Sequence, residues 1–200
     1  HLDGWRAWAA PVRAGRRVVL HPAWLPRDGA EDDLVVLLDP GRTFGSGSHP
    51  STRLVVAALE AHCGPGQRVL DVGTGSGVLA VVAALLGAAR VDAIDIEAAA
   101  PAVVRANAEA NGVRERVTAS TMPLSEVTGT FDLVLANIGA GVLRGLANEL
   151  SARVAPGGLL VLSGLLEDQA DAVVAGFVDL TELTRAAEDG WVAVVLRAPG

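Results

Sequence analysis

Residues 68–77 read RVLDVGTGSG, and an unbroken apolar run, Val78–Leu86, follows at once. Val69, Leu70 and Val72 have the character of a short buried strand. The strand gives way through Asp71 to Gly73, Gly75 and Gly77. Closely spaced glycines predict a tight turn, and the apolar run after them predicts a helix. A turn without Cβ atoms lets a ligand approach the backbone, and the start of the helix aims its N–H groups at that ligand.

The next apolar run outward is VDAIDI, Val91–Ile96. Its Asp95 lies 22 residues after Gly73. In nucleotide-binding βαβ units a carboxylate meets the ribose hydroxyls at a spacing of about 20 residues. The turn itself is G-x-G-x-G. The dinucleotide fingerprint G-x-G-x-x-G would need a glycine at Val78, so the spacing disfavours an NAD-dependent oxidoreductase. It resembles instead the motif of class I S-adenosylmethionine-dependent methyltransferases.

The rest of the chain alternates. VVLHPAW (Val18–Trp24) reads as a short strand, and DLVVLLD (Asp33–Asp39) as a second, antiparallel to the first across the turn composition PRDGAED. Arg16 and Arg17 fit a solvated strand edge. Pro40–Thr52 is a polar glycine loop, and Phe44 among its glycines suggests a flap over a ligand. The loop ends in a helix start, with Ser48 or His49 at the cap and Pro50 just inside. His49 reads as a structural cap more readily than as a base. Cys63 reads as a core residue at the end of that helix. Strands are expected at Arg90–Ile96, Arg116–Ser120, Phe131–Asn137, Leu159–Ser163 and Gly190–Arg197. Helices are expected at Ala98–Asn111, Val142–Val154 (stopped by Pro156–Gly157–Gly158) and Glu167–Phe177.

This alternation predicts an α/β fold, a doubly wound and mostly parallel sheet with helices on both faces. A short N-terminal β extension, residues 1–39, would precede a main domain at 40–200. Ligands in such sheets bind at the carboxyl ends of the strands, where strand order reverses. Asp71, Gly73, Asp95 and Asn137 all fall at predicted carboxyl ends.

Composition sets the outer limits. Half of the 200 residues are hydrophobic but only 4% are aromatic, and there is no Tyr, so the core must be built from Val, Leu and Ala. No apolar run approaches the ~18 residues of a membrane span, and no signal-peptide core opens the sequence. The lone Cys63 excludes an internal disulfide and a cysteine-based metal site, and no metal site is expected. These features point to a cytoplasmic protein. The net charge is −7 and every basic side chain is Arg. Such a balance makes direct nucleic-acid binding through phosphates a poor expectation; it is compatible with a basic protein substrate, although the usual meaning of such a charge is solubility.

Three stretches together resemble the ribosomal protein L11 methyltransferase family. The first is FGSGSHPST (44–52), and the second runs from VLDVGTGSG (69–77) through DAIDIE to NAEANGV (107–113). The third is FDLVLANI (131–138), followed by APGGLLVLSGLLEDQ (155–169). The terminal GWVAVVLR and the early VVLHPAW also fit, so the likeness extends from about Trp5 to the end. It implies a Rossmann-like class I methyltransferase fold, S-adenosylmethionine as cofactor, and methylation of amino groups on a protein such as L11. Carried over by position, Thr52, Gly73, Asp95 and Asn137 would contact the cofactor, with Asp71 and Gly75 on the same turn. Asn137 would also be the catalytic residue, orienting the cofactor amino group or an incoming amine.

Members of that family carry an N-terminal domain that grips the ribosomal protein. Only linker-like residues precede the glycine loop here, so the chain is expected to be the catalytic domain alone. Ser46, Ser48 and Ser51 stand where the family has threonines, Gly139 where a leucine is expected, and Thr74 where cysteine is common. The alternative is a methyltransferase of the same fold acting on a small molecule or another protein. A non-catalytic binding module is opposed by Asp95, the glycine turn and Asn137. The oligomeric state is not written in the sequence.

Overall fold

The structure, a computed structural model, describes residues 10–39 and 47–200. Strands β1 (Val12–Arg13), β2 (Val18–Pro22) and β3 (Leu34–Leu38) make a small sheet. The elements α1 (Pro50–His62), β4 (Arg68–Val72), α2 (Val78–Leu85), β5 (Arg90–Ile94), α3 (Ala100–Ala110) and β6 (Val117–Ser120) follow. After them come β7 (Phe131–Asn137), α4 (Ala140–Gly145), α5 (Ala147–Arg153), β8 (Val154–Leu166), α6 (Glu167–Val174), β9 (Thr181–Glu188) and β10 (Trp191–Arg197). The large sheet has the order β6-β5-β4-β7-β8-β10-β9. From β6 to β8 the strands are parallel, and β10 runs antiparallel to both its neighbours. The chain leaves β4 toward β5 and β6, then returns to lay β7 on the other side of β4. The order therefore reverses between β4 and β7, as a doubly wound sheet requires.

Helices cover both faces, so the central strands are apolar on both sides. Val69, Leu133, Leu135 and Val161 face one core, with Leu20, Val36, Leu38, Val55 and the whole of α2. Leu70, Val134, Ala136 and Leu162 face the other, with Leu143, Leu150 and Val173. Helix α2 is apolar all round because it is enclosed on all sides, as an uninterrupted VLAVVAAL implies.

The small sheet is fastened to the main body at two places. The Glu60 carboxylate on α1 accepts from the backbone N–H groups of Arg16 (2.6 Å), Arg17 (2.8 Å) and Val18 (2.9 Å). Burial alone would raise the pKa of Glu60, but these three donors outweigh it and hold it below the usual value. On α3, Asn111 and Asn107 grip the free edge of β3. Asn111 accepts from Leu37 N (2.8 Å) and donates to Leu37 O (2.7 Å). Asn107 accepts from Asp39 N (2.9 Å) and donates to Asp39 O (3.0 Å). The two asparagines are one helical turn apart and meet alternate residues of the strand, so they act as a substitute ladder on its edge.

Four sequence expectations need correction. First, β2 and β3 are parallel, paired from Val18↔Leu34 to Pro22↔Leu38, and not antiparallel. The segment 23–33 crosses back along the strands, and the hairpin is the one between β1 and β2, closed by Ala14 N to Val18 O. Second, the helix expected over Val142–Val154 is two short helices meeting at Leu146, just after Gly145, a poor helix former. Third, Pro156–Gly157–Gly158 lies within β8 as an irregularity, where the register against β7 shifts. Gly157 adopts φ +70° there. Fourth, β9 escaped the pattern reading altogether. TELTRAAE is solvent-exposed almost throughout and has no apolar face to betray it. It is a strand because β10 supplies its partner across a two-residue Asp189–Gly190 turn, both residues at positive φ.

Candidate active site

Among the described residues, the carboxyl edge of the sheet at the β4/β7 reversal carries two cavities that share one wall. One, of about 630 Å³, is bounded by Gly73, Gly75, Asp95, Ile96, Met122 and Leu124, and reaches Glu149. The other, of about 610 Å³, is bounded by His49, Thr52, Thr74, Val78, Leu79 and Trp191. Gly73, Gly75, Asn137, Ile138 and Gly139 line both.

The glycine turn is shaped by requirements that only glycine meets. Gly73, Gly75 and Gly77 have φ of +72°, +55° and +81°. A Cβ on Gly73 would lie 2.4 Å from Ile138 Cγ2 on the shared wall. A Cβ on Gly77 would lie 2.9 Å from the Val104 methyls of α3. Gly73 N and Thr74 N donate to Ile94 O, which fixes the turn against the end of β5.

Asp95 follows β5 at the rim. Its Oδ2 accepts from Gly75 N (2.8 Å) and its Oδ1 from Glu97 N (2.9 Å). An ionised carboxylate has room for about four acceptor contacts, so both oxygens retain capacity for further donors.

Asp71 occupies a different place. It is buried behind the turn, takes a 2.7 Å hydrogen bond from Thr74 Oγ1, and lines neither cavity. Among the described residues its Oδ1 is buried without a hydrogen bond of normal geometry. Burial pushes its pKa from 3.8 to about 6; Thr74 pulls it down and Asp95 repels the charge. The raised value has a consequence for stability. The unfolded carboxyl ionises near 3.8, the folded one near 6, so stability falls as pH rises between them, and the full penalty is present above 6. Asp71→Asn is therefore expected to melt progressively later than the unsubstituted protein as pH is raised from 4 to 8. The gap should grow by up to about 3 kcal/mol. Thermal melts across that range read the change directly, and a gap that stays flat with pH would contradict the assignment.

Asn137 ends β7 between the two cavities, 3.5 Å from Thr52 Oγ1. Thr52 is buried in the first turn of α1, capped by His49, whose Nδ1 accepts from Ser51 N (3.2 Å). The His49 ring meets Trp191 edge-on at 4.5 Å. This is the structural role expected of His49. Of the expected flap, residues 40–46 with Phe44 lie outside the described residues, as do Trp5 and Trp8. Thr52, Gly73, Gly75, Asp95 and Asn137 converge on one place, and Asp71 supports it from behind.

Gly164 and Trp191, which line the second cavity, and Ser163, buried behind it, carried no functional signal of their own. Gly164 has φ +81°, and a Cβ there would lie 2.6 Å from Ile138 O. Ser163 O accepts from Ile138 N (3.2 Å), and Ser163 Oγ donates to Val192 O (2.8 Å). Trp191 closes the second cavity from β10. All three owe their places to strand pairing across the sheet, which local spacing does not encode.

A family model described as Ribosomal protein L11 methyltransferase (PrmA) matches residues 2–199. The chain belongs to the ribosomal protein L11 methyltransferase family. A curated relative, the ribosomal protein L11 methyltransferase of Geobacter metallireducens, is 47% identical over 199 residues, covering 98% of this chain and 65% of the relative. The chain thus spans just under two thirds of that protein's length. The crystal structure of the ribosomal protein L11 methylase of Lactobacillus delbrueckii subsp. bulgaricus superposes with a TM-score of 0.89 at 28% identity, covering 96% of this chain and 100% of that one. The N-methyltransferase NodS of Bradyrhizobium japonicum, solved with S-adenosyl-L-homocysteine, shares the fold at a TM-score of 0.61 and 17% identity, over 76% of this chain and 89% of that one. The doubly wound sheet is thus the class I methyltransferase fold that the resemblance implied. Within the family's frame the glycine turn, Asp95 and Asn137 stand together at the reversal point.

Proposed function

We propose that the protein transfers a methyl group from S-adenosylmethionine to an amino group of a cytoplasmic protein, with ribosomal protein L11 as the acceptor to test first. The observation that carries this reading is the pair of cavities joined at Gly73 and Asn137. One suits a nucleoside with an acidic ribose acceptor, and the other suits a group approaching from the opposite side.

The residues present fit the cofactor. Gly73 leaves a space that any Cβ would fill, so an amino-acid tail can lie against the backbone. Asp95 offers charged acceptors to two ribose hydroxyls. Ile96, Met122 and Leu124 are apolar walls for the base. S-adenosylmethionine supplies a methyl group already activated by its sulfonium, so the protein has mainly to position the partners.

The acceptor must arrive with a free nitrogen lone pair. Among the described residues no carboxylate lines the second cavity. A protonated amine there meets no carboxylate among the described lining residues and is desolvated beside Leu79, Val78 and Trp191, which lowers its pKa and favours the neutral form. Asn137 can accept from that amine through Oδ1 while Thr52 holds the amide in place. The C–N bond forms as the C–S bond breaks, and the proton leaves to water.

A transfer assay with labelled S-adenosylmethionine compares L11 with unrelated basic proteins at equal concentration. Faster labelling of L11 is expected. Equal or slower labelling of L11 would move the acceptor to another protein or a small molecule on the same catalytic domain.

A further inference from the structure

We infer that Asn107 is a positioning residue for the cofactor: through one side chain it fixes the glycine turn to the end of β3, and so sets affinity from outside the cavity. This rests on the cofactor reading above. Asn107 is buried on α3, and its amide serves two elements at once. One N–H donates to Asp39 O (3.0 Å), where β3 ends and the segment leading to the Ser48–Thr52 wall begins. The other donates to Ser76 O (2.9 Å), inside the glycine turn. Its Oδ1 accepts from Asp39 N. One turn earlier on α3, Val104 packs where a Cβ on Gly77 would have to go. The same face of α3 therefore touches the turn twice, once by packing and once by a directed hydrogen bond.

Asn111 provides an internal control. It grips Leu37 with the same two bonds that Asn107 makes to Asp39, and its second N–H goes to Asn107 O (2.7 Å). Neither contact reaches the glycine turn. A purely structural role in holding β3 predicts the same outcome for both asparagines. A positioning role predicts different outcomes.

The test compares Asn107→Ala with Asn111→Ala in the full chain by two readouts. Amide exchange of residues 73–77 is expected to be at least about tenfold faster in Asn107→Ala and close to the unsubstituted rate in Asn111→Ala. The affinity for S-adenosylhomocysteine is expected to fall by at least about tenfold in Asn107→Ala and by less than about threefold in Asn111→Ala. Matched changes in the two variants, in either readout, would overturn the inference. If the unsubstituted protein binds no S-adenosylhomocysteine, the cofactor reading itself falls, and the exchange comparison alone decides the role of Asn107. Asn107→Leu and Asn111→Leu, which keep the branching at Cγ and leave no cavity, repeat the comparison if an Ala variant melts too low to assay.

Discussion

Gly73→Val is expected to abolish cofactor binding while the protein still folds. Gly73 sits at φ +72°, a conformation that costs an ordinary L-residue roughly 1–2 kcal/mol and a β-branched one more. The added Cβ would also lie 2.4 Å from Ile138 Cγ2. Ile138 is itself β-branched and stiff, and it lines both cavities, so relief of the clash pushes it or the turn into the space the ligand needs. Ile138 packs only at the margin of one core, so the fully buried side chains of α2 and β4 are expected to keep their packing. The expected result is a drop in affinity for S-adenosylmethionine of about 100-fold or more, with a cooperative melt retained. Calorimetric titration beside a circular-dichroism melt separates the two. Full affinity in this variant would remove the glycine turn from the site.

Asp95→Ala is expected to be comparably damaging, for a different reason. Two hydrogen bonds from ribose hydroxyls to a charged acceptor are worth roughly 1.5–3 kcal/mol each, so their loss weakens binding by roughly 10²–10⁴-fold. The same change releases Gly75 N and Glu97 N, which Asp95 holds at 2.8 and 2.9 Å. Asp95→Asn keeps a polar side chain of the same shape and loses the charge, so an intermediate affinity is expected. A titration in which the Ala variant binds as tightly as the unsubstituted protein would refute the ribose role.

Much of this was legible in the chain itself, for a physical reason. Where function needs a backbone conformation, it must be written in residue type: Gly73, Gly75 and Gly77 announced the turn because no other residue accepts those φ angles cheaply. Where the sheet is buried on both faces, as at Phe131–Asn137, the apolar run ending in a polar residue announced both strand and edge. Pairing is the part that spacing does not encode. The direction of β3 relative to β2 depends on how residues 23–33 cross, and the edge strand β9 has no buried face to leave a period of two. Gly164, Ser163 and Trp191 matter only because β8 lies beside β7 and β10 beside β8, a fact of sheet order. Asp71 read as part of the edge because strand and turn meet there. The pleat instead sends its side chain to the α2 side, where Thr74 takes it.

The central claim is that the glycine turn and Asp95 hold an S-adenosyl group. Titration calorimetry of the unsubstituted protein with S-adenosylmethionine and with S-adenosylhomocysteine tests it most directly. Binding of both at about micromolar Kd, with a negative heat-capacity change from burial of apolar surface beside Ile96 and Met122, is the predicted result. Absence of binding by either compound would contradict it and assign the turn to another ligand.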